Sequence, residues 1–79
     1  MAEWIARVYR VGDGFRVVID GLTHFDVGRL EDVEAATRRA ILHTLHGWLP
    51  KRTTPPDDPE AERVLEFEVD VRISHSDRR

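Results

Sequence analysis

The stretch that decides the fold is Val64-Leu65-Glu66-Phe67-Glu68-Val69-Asp70-Val71-Arg72-Ile73. Its odd-numbered positions are all apolar, and its even-numbered positions from 66 onward are all charged. A period of two is typical of a β-strand with one face on a core and the other in solvent. We therefore predict a strand over 64–73, with Phe67 in the core and an outward acid row of Glu66, Glu68 and Asp70.

Two further strand-like runs stand near the start of the chain. Residues 3–11 and 15–20 are rich in aromatic and β-branched side chains, and Gly12-Asp13-Gly14 separates them. A short Gly/Asp turn between two such runs predicts a β-hairpin. A short third strand over 24–27 follows, with Phe25 and Val27 pointing inward and His24 pointing outward or along an edge.

From Leu30 the spacing changes to that of a helix. Apolar or small residues recur at positions 30, 33, 36, 37, 40, 41, 44, 45 and 48, which is the stripe of a one-sided amphipathic helix. Gly47 and Pro50 end this helix. The resulting order, β-β-(β)-α-loop-β, predicts an α+β two-layer sandwich: one main helix on an antiparallel sheet of three or four strands.

All four prolines fall within residues 50–63, where we predict a mobile loop. We predict a frayed polar tail over residues 74–79. With 79 residues, the chain has room for a single core, so residues 1–79 form one domain. Because so small a domain is marginally stable and its long last strand exposes an edge, we expect a homodimer or a higher homo-oligomer.

The composition restricts the classes of function. The chain has no cysteine, which excludes disulfides and thiolate metal sites. It shows no signal-peptide pattern and no apolar run of the roughly 20 residues that a membrane span needs, so we expect a cytoplasmic protein without membrane contact. A net charge of −3 with scattered basic residues makes direct nucleic-acid binding unexpected.

No constellation of residues marks an enzyme or a cofactor site. His43 and His46 have a helical spacing that can share a metal, but neither thiols nor an HExxH pattern accompany them, so we expect surface histidines and no metal. The acid row is the solvated face of a sheet or a surface for a basic partner, because acid–base catalysis needs a desolvated carboxyl group.

Trp48, at the end of the apolar stripe, is either a core residue or an interface anchor, since tryptophan is enriched at interaction hot spots. The candidate partner-binding residues are therefore the acid row and Trp48.

The stretch from Ile5 to Leu45, about half of the chain, resembles the HicB-like antitoxin domain. The run Gly12-Asp13-Gly14-Phe15-Arg16-Val17 is similar to the turn and second strand of that family, and Asp20-Gly21-Leu22 lies where the family has its Asp-Leu turn. The segment from Val27 to Ala36 looks like the family's helix entry, although Arg29 replaces the usual capping threonine.

The helix-turn-helix or ribbon-helix-helix segment common in such antitoxins has no counterpart among residues 50–79. What the resemblance implies is a non-catalytic interaction module that neutralises a small basic RNA-cleaving toxin and self-associates. An acid row suits such a partner by charge complementarity. The alternative from another class is a stand-alone small-molecule or metal-binding domain that uses the cleft between helix and sheet.

Overall fold

A computed structural model describes residues 2–71, with side chains from residue 4 onward. The elements are β1 (Ala2–Val11), β2 (Gly14–Ile19), β3 (Thr23–Val27), a 3₁₀ turn (Leu30–Asp32), α1 (Val33–Leu45) and β4 (Glu62–Val71). The predicted α+β fold is confirmed: one helix lies on a four-stranded antiparallel sheet. The predicted tail over 74–79, together with Arg72 and Ile73, lies outside the described residues.

The strands are ordered β3-β2-β1-β4, so β3 and β4 form the two edges. The turn between β1 and β2 contains two residues, and the first of them, Gly12, has a φ of +59° that favours glycine. The strand β4 begins at Glu62, not at the predicted position 64. A register shift beside Val8 leaves Val64 without a partner on β1, and this β-bulge lets the pairing continue to Glu62.

The core lies between α1 and the side of the sheet that faces it. Its buried apolar residues are Ala6, Val8, Val17, Ile19, Leu22, Val33, Ile41, Val69 and Val71. Fully burying one of the larger aliphatic side chains contributes about 1.5–3 kcal/mol. Phe25, Val27 and Phe67 are partly buried against this cluster, as predicted for their faces.

The two ends of the predicted apolar stripe are not in the core. Leu30 is 49% exposed, Leu45 37% and Trp48 68%. The reason is length: α1 covers only Val33–Leu45, and its buried positions are Val33, Thr37, Ile41 and Thr44. Ala36 and Ala40, which belong to the stripe within α1, are half-buried. No helix within residues 2–71 is long and apolar enough to cross a membrane.

The proline-rich loop between α1 and β4 is tied to the sheet at Arg52. The Arg52 N–H donates to the Leu22 carbonyl at 3.1 Å, and His24 Nδ1–H donates to the Arg52 carbonyl at 2.8 Å. His24 lies on the outer face of the edge strand β3, as expected, but it is only 7% exposed because the loop covers it. Further along, Pro55 lines a cleft with Tyr9 on this outer face.

Candidate functional site

The acid row lies on the outer face of β4, which is the face turned away from α1. Glu66, Glu68 and Asp70 are all exposed, while Val69 and Val71, which alternate with them, are buried. The face assignment of this strand is therefore the predicted one.

Glu66 differs from the other two acids because arginines already neutralise it. Arg63 Nη1 lies 3.1 Å and Arg7 Nε 3.7 Å from Glu66 Oε1. Arg7 also donates to Asp20, and this hydrogen bond, with the charges of Asp20 and Glu66, raises the pKa of the guanidinium. Exposed ion pairs of this kind contribute at most about 1 kcal/mol each. Their main effect is to hold Glu66 within the protein's own charge network.

Within the acid row, Glu68 and Asp70 carry the available negative charge; Glu62, at the start of β4, is also exposed and forms no ion pair with a described side chain. Neither Glu68 nor Asp70 makes an ion pair with any side chain that the structure describes. Glu68 lies opposite Ile5, an exposed apolar residue, and Asp70 lies opposite Glu3 in the register with β1. The sequence could not separate these two acids from Glu66, because the arginines that pair with Glu66 come from other positions in the chain.

The backbone of β4 presents its free hydrogen-bonding groups at the same residues that carry the acids. In an antiparallel sheet, the N–H and C=O of one residue point to the same neighbouring strand. Val11 and Gly14 flank the two-residue turn and form a hydrogen-bonded pair. The backbone N–H and C=O groups of Val11, and of every second residue of β1 back to Arg7, therefore point to β2. The backbone groups of Ala6 therefore point to β4, where Ala6 pairs with Phe67. The backbone groups of Phe67 point back to β1, so those of its neighbours Glu66 and Glu68 point to the open edge.

A side-chain contact supports the same assignment. Arg38, on α1, donates to the Asp70 carbonyl oxygen at 3.4 Å, so this carbonyl points away from β1 and toward the edge. Glu68 lies two residues earlier and shares its orientation. Arg38 covers the end of the edge near Asp70, whereas the structure shows no such cover at Glu66 or Glu68 within the described residues.

A groove runs beside this open edge, between β4 and the beginning of the helical segment. We call it the β4 groove; it has a volume of about 490 Å³ and is lined by Leu30, Glu31, Val33, Glu34, Leu65, Phe67 and Glu68. Leu30 and Leu65 are 49% and 42% exposed, and they provide an apolar floor at the surface. Every charged residue in the lining is acidic. The sequence does not reveal this groove, because the helical stripe predicts Leu30 in the core.

Trp48 is placed by the way in which α1 ends. Gly47 has a φ of +80°, its N–H donates to the Thr44 carbonyl at 3.1 Å, and the Trp48 N–H donates to the His43 carbonyl at 2.8 Å. These bonds form a Schellman motif, in which the residue after the glycine packs against the last turn of the helix. The indole stacks on His46, with centroids 4.7 Å apart, and contacts His43. Both aromatic partners of the indole thus lie at the end of α1 and not on β4.

A second groove, of about 510 Å³, lies between β3 and α1, and Arg39 and His43 line it together with Phe25 and Ala36. It is the cleft that a small ligand would use. The described residues contain no group of three or more His, Cys, Asp or Glu side chains that could hold a metal ion. Buried polar side-chain atoms without a partner among the described residues occur at Trp4 and Thr44, and neither residue lines this groove. No observation therefore favours a ligand here.

Comparisons with protein-family models, with curated proteins and with solved structures give no significant match to this chain.

Proposed function

We propose that this protein is a non-catalytic interaction module that binds a small basic protein through β4. The observation that carries the proposal is the juxtaposition of three features: the edge position of β4, the β4 groove, and the carboxylates of Glu68 and Asp70, which form no ion pair with a described side chain. Apolar surface next to like charges favours a partner that is basic and partly apolar. The resemblance to HicB-like antitoxins suggests the class of partner, a small RNA-cleaving toxin that the module neutralises in the cytoplasm.

The exposure of the acids supports binding over catalysis. Glu68 and Asp70 are in contact with water, whereas a catalytic carboxyl group depends on burial or close like charges to adjust its proton affinity. In binding, exposure is an advantage, because charges that remain solvated steer a basic partner toward the surface before contact is made.

Self-association remains part of the proposal, although not by pairing two copies of β4. In a two-fold pair of β4 edges, the outward residues of one copy lie opposite the outward residues of the other. In a two-fold pair centred on Glu68, Glu68 would face Glu68 and Glu66 would face Asp70, and like charges directly opposite are destabilising. Light scattering should give a mass of at least twice 9.1 kDa if the protein self-associates. A Glu68→Lys variant should not weaken that dimer.

The test of the proposed function is binding to the product of a short basic reading frame next to the gene. In the main variant, Glu68 and Asp70 are both changed to lysine, and Glu66 is kept because Arg7 and Arg63 depend on it. The matched control changes the same number of exposed carboxylates outside β4, Asp13→Lys and Asp57→Lys. Because each reversed charge opposes a basic partner, we expect the β4 variant to lose about 100-fold in affinity and the control less than about tenfold.

The biological readout is RNA cleavage by the basic protein, which the wild type should suppress and the β4 variant should not. Equal affinities of the two charge-reversal variants would contradict the proposed surface. A wild type that neither binds the basic protein nor suppresses its activity would contradict the proposed function itself.

A further inference from the structure

We infer that the partner is bound by strand addition: an extended segment in which basic and apolar residues alternate pairs with the edge of β4. This inference rests on the proposed function and specifies its mode of recognition. It is carried by the direction of the backbone groups of β4 and by the different chemistry of the two faces beside its edge.

The backbone of the edge provides the attachment. Glu66 and Glu68 each direct one N–H and one C=O away from β1, at a spacing of about 6.6–6.8 Å that matches one pair of residues on an added strand. An added strand would satisfy these groups by the same ladder that joins the other strands. Main-chain bonding of this kind is a recurring mode of peptide recognition.

The added strand can be only short, because both ends of the open edge are limited. The β-bulge at Val64 interrupts the regular ladder on one side of Glu66. On the other side, Arg38 already occupies the Asp70 carbonyl oxygen. The usable edge therefore runs from Leu65 to Asp70, and it is too short to bind by backbone bonds alone, so side chains must determine the specificity.

The two faces beside this edge require different side chains of the occupant. On the outer face, residues of an added strand would lie next to Glu66, Glu68 and Asp70, where basic side chains fit. On the other face, they would lie in the β4 groove against Leu30, Leu65 and Phe67, where apolar side chains fit. Because successive residues of a strand point to opposite faces, the occupant must alternate basic and apolar residues.

A second copy of β4 does not meet this requirement. The residues of β4 whose backbone groups point to the edge are those of the acid row. Pairing two copies would therefore place acidic side chains of one copy beside acidic side chains of the other on the outer face. The charge pattern of β4 thus disfavours pairing of one copy with another at this edge, which is a known way for edge strands to avoid self-association, while it leaves the edge open to a basic strand.

Proline at position 68 tests the mode of binding. The Glu68 N–H points to the open edge, so Glu68→Pro removes a donor needed by an added strand but none used by β1. Glu68→Gln is the matched control, because it removes the same charge and keeps the N–H. The probe is an eight-residue peptide in which lysine and valine alternate; a peptide of the same composition with all lysines before all valines controls for charge.

We expect the wild type to bind the alternating peptide at least tenfold more tightly than the segregated one. Glu68→Pro should weaken binding of the alternating peptide at least tenfold more than Glu68→Gln does. In the wild type, bound peptide should also slow amide hydrogen exchange at Glu66 and Glu68, a measurement that does not depend on how well the proline variant folds.

Equal affinity of the proline and glutamine variants, or unchanged exchange at both amides in a peptide complex, would overturn strand addition. If the adjoining basic protein still bound and Glu68→Lys with Asp70→Lys abolished that binding, the proposed function would stand without this mode. If wild type bound neither the peptide nor the basic protein, both proposals would fail together.

Discussion

The two edge strands of the sheet differ in length and in how much of each is covered by other parts of the protein. β3 has five residues, and the loop after α1 lies against it, with His24 bonded to the Arg52 carbonyl. β4 has ten residues, and its edge is covered at one point only within residues 2–71, where Arg38 reaches the Asp70 carbonyl. The loop thus lies against one end and the outer face of the short strand, while the long strand exposes a row of acids.

This difference supports the proposal that a partner binds at β4. An exposed edge is a risk for uncontrolled pairing, and natural proteins shorten it, cover it or charge it. Charge alone leaves the backbone groups available to any strand that carries the opposite charge. An acidic edge next to an apolar groove is therefore selective for a basic strand, whereas at β3 the loop lies over His24 on the outer face.

The largest expected effect on stability distinguishes the two halves of β4. Both halves alternate apolar and charged residues, but their apolar residues are buried to different depths. Val69 is 2% exposed, while Leu65 is 42% exposed. Val69→Asp would bury an unpaired charge and should destabilise the protein by about 4 kcal/mol or more, enough to unfold it. Leu65→Asp should cost about 1 kcal/mol or less, because water reaches that site. Urea denaturation of both variants measures the difference; equal costs would mean that the first half of β4 is as deeply packed as the second.

The next effect concerns Phe67, which lies between these halves and is only partly buried. Truncation of a buried phenylalanine costs about 3–5 kcal/mol, so we expect Phe67→Ala to fall near the lower limit, at about 3 kcal/mol. Glu68→Ala, on the opposite face, should change stability by less than about 0.5 kcal/mol. The same denaturation measurement applies, and the reverse ranking would invert the faces of the strand.

These two substitutions also show how far the sequence alone could lead. Alternation determines which face a residue of β4 occupies, and that part was predictable from Phe67 and Glu68. It does not determine how deep the residue lies, because depth depends on where the helix ends, and α1 does not extend over Leu65 or bring Leu30 into the core. The available charge of Glu68 also depends on partners brought together only by folding.

His24 on β3 and His46 at the end of α1 form a matched pair of histidines. His24 Nδ1 and His46 Nδ1 each lie 2.8 Å from a backbone carbonyl oxygen, but His24 is buried and His46 is exposed. Loss of a buried bond that leaves its partner carbonyl unsatisfied costs about 1–3 kcal/mol, so His24→Ala should destabilise by about 2 kcal/mol. His46→Ala should stay within about 0.5 kcal/mol.

Trypsin provides a second measurement of the same contact. If His24 holds the loop, cleavage after Arg52 should be faster in His24→Ala than in the wild type and unchanged in His46→Ala, because cleavage requires the local backbone to open. Equal cleavage rates in all three proteins would show that the loop is as mobile as its prolines suggest and that the Arg52 contact does not protect the β3 edge.

The smallest expected effect belongs to Trp48, which the sequence nominates as an interface anchor and the structure places in a helix cap. If the indole only completes the Schellman motif against His43 and His46, Trp48→Ala should lower stability by about 1 kcal/mol or less, since the backbone bonds and Gly47 remain. Its affinity for the basic partner should then equal that of the wild type, while Glu68→Lys with Asp70→Lys should lower it about 100-fold. Truncation of a tryptophan hot spot typically costs 2 kcal/mol or more in binding, about 30-fold in affinity. A loss of that size in Trp48→Ala would show that the interface extends from β4 to the end of α1, and that strand addition describes only part of it.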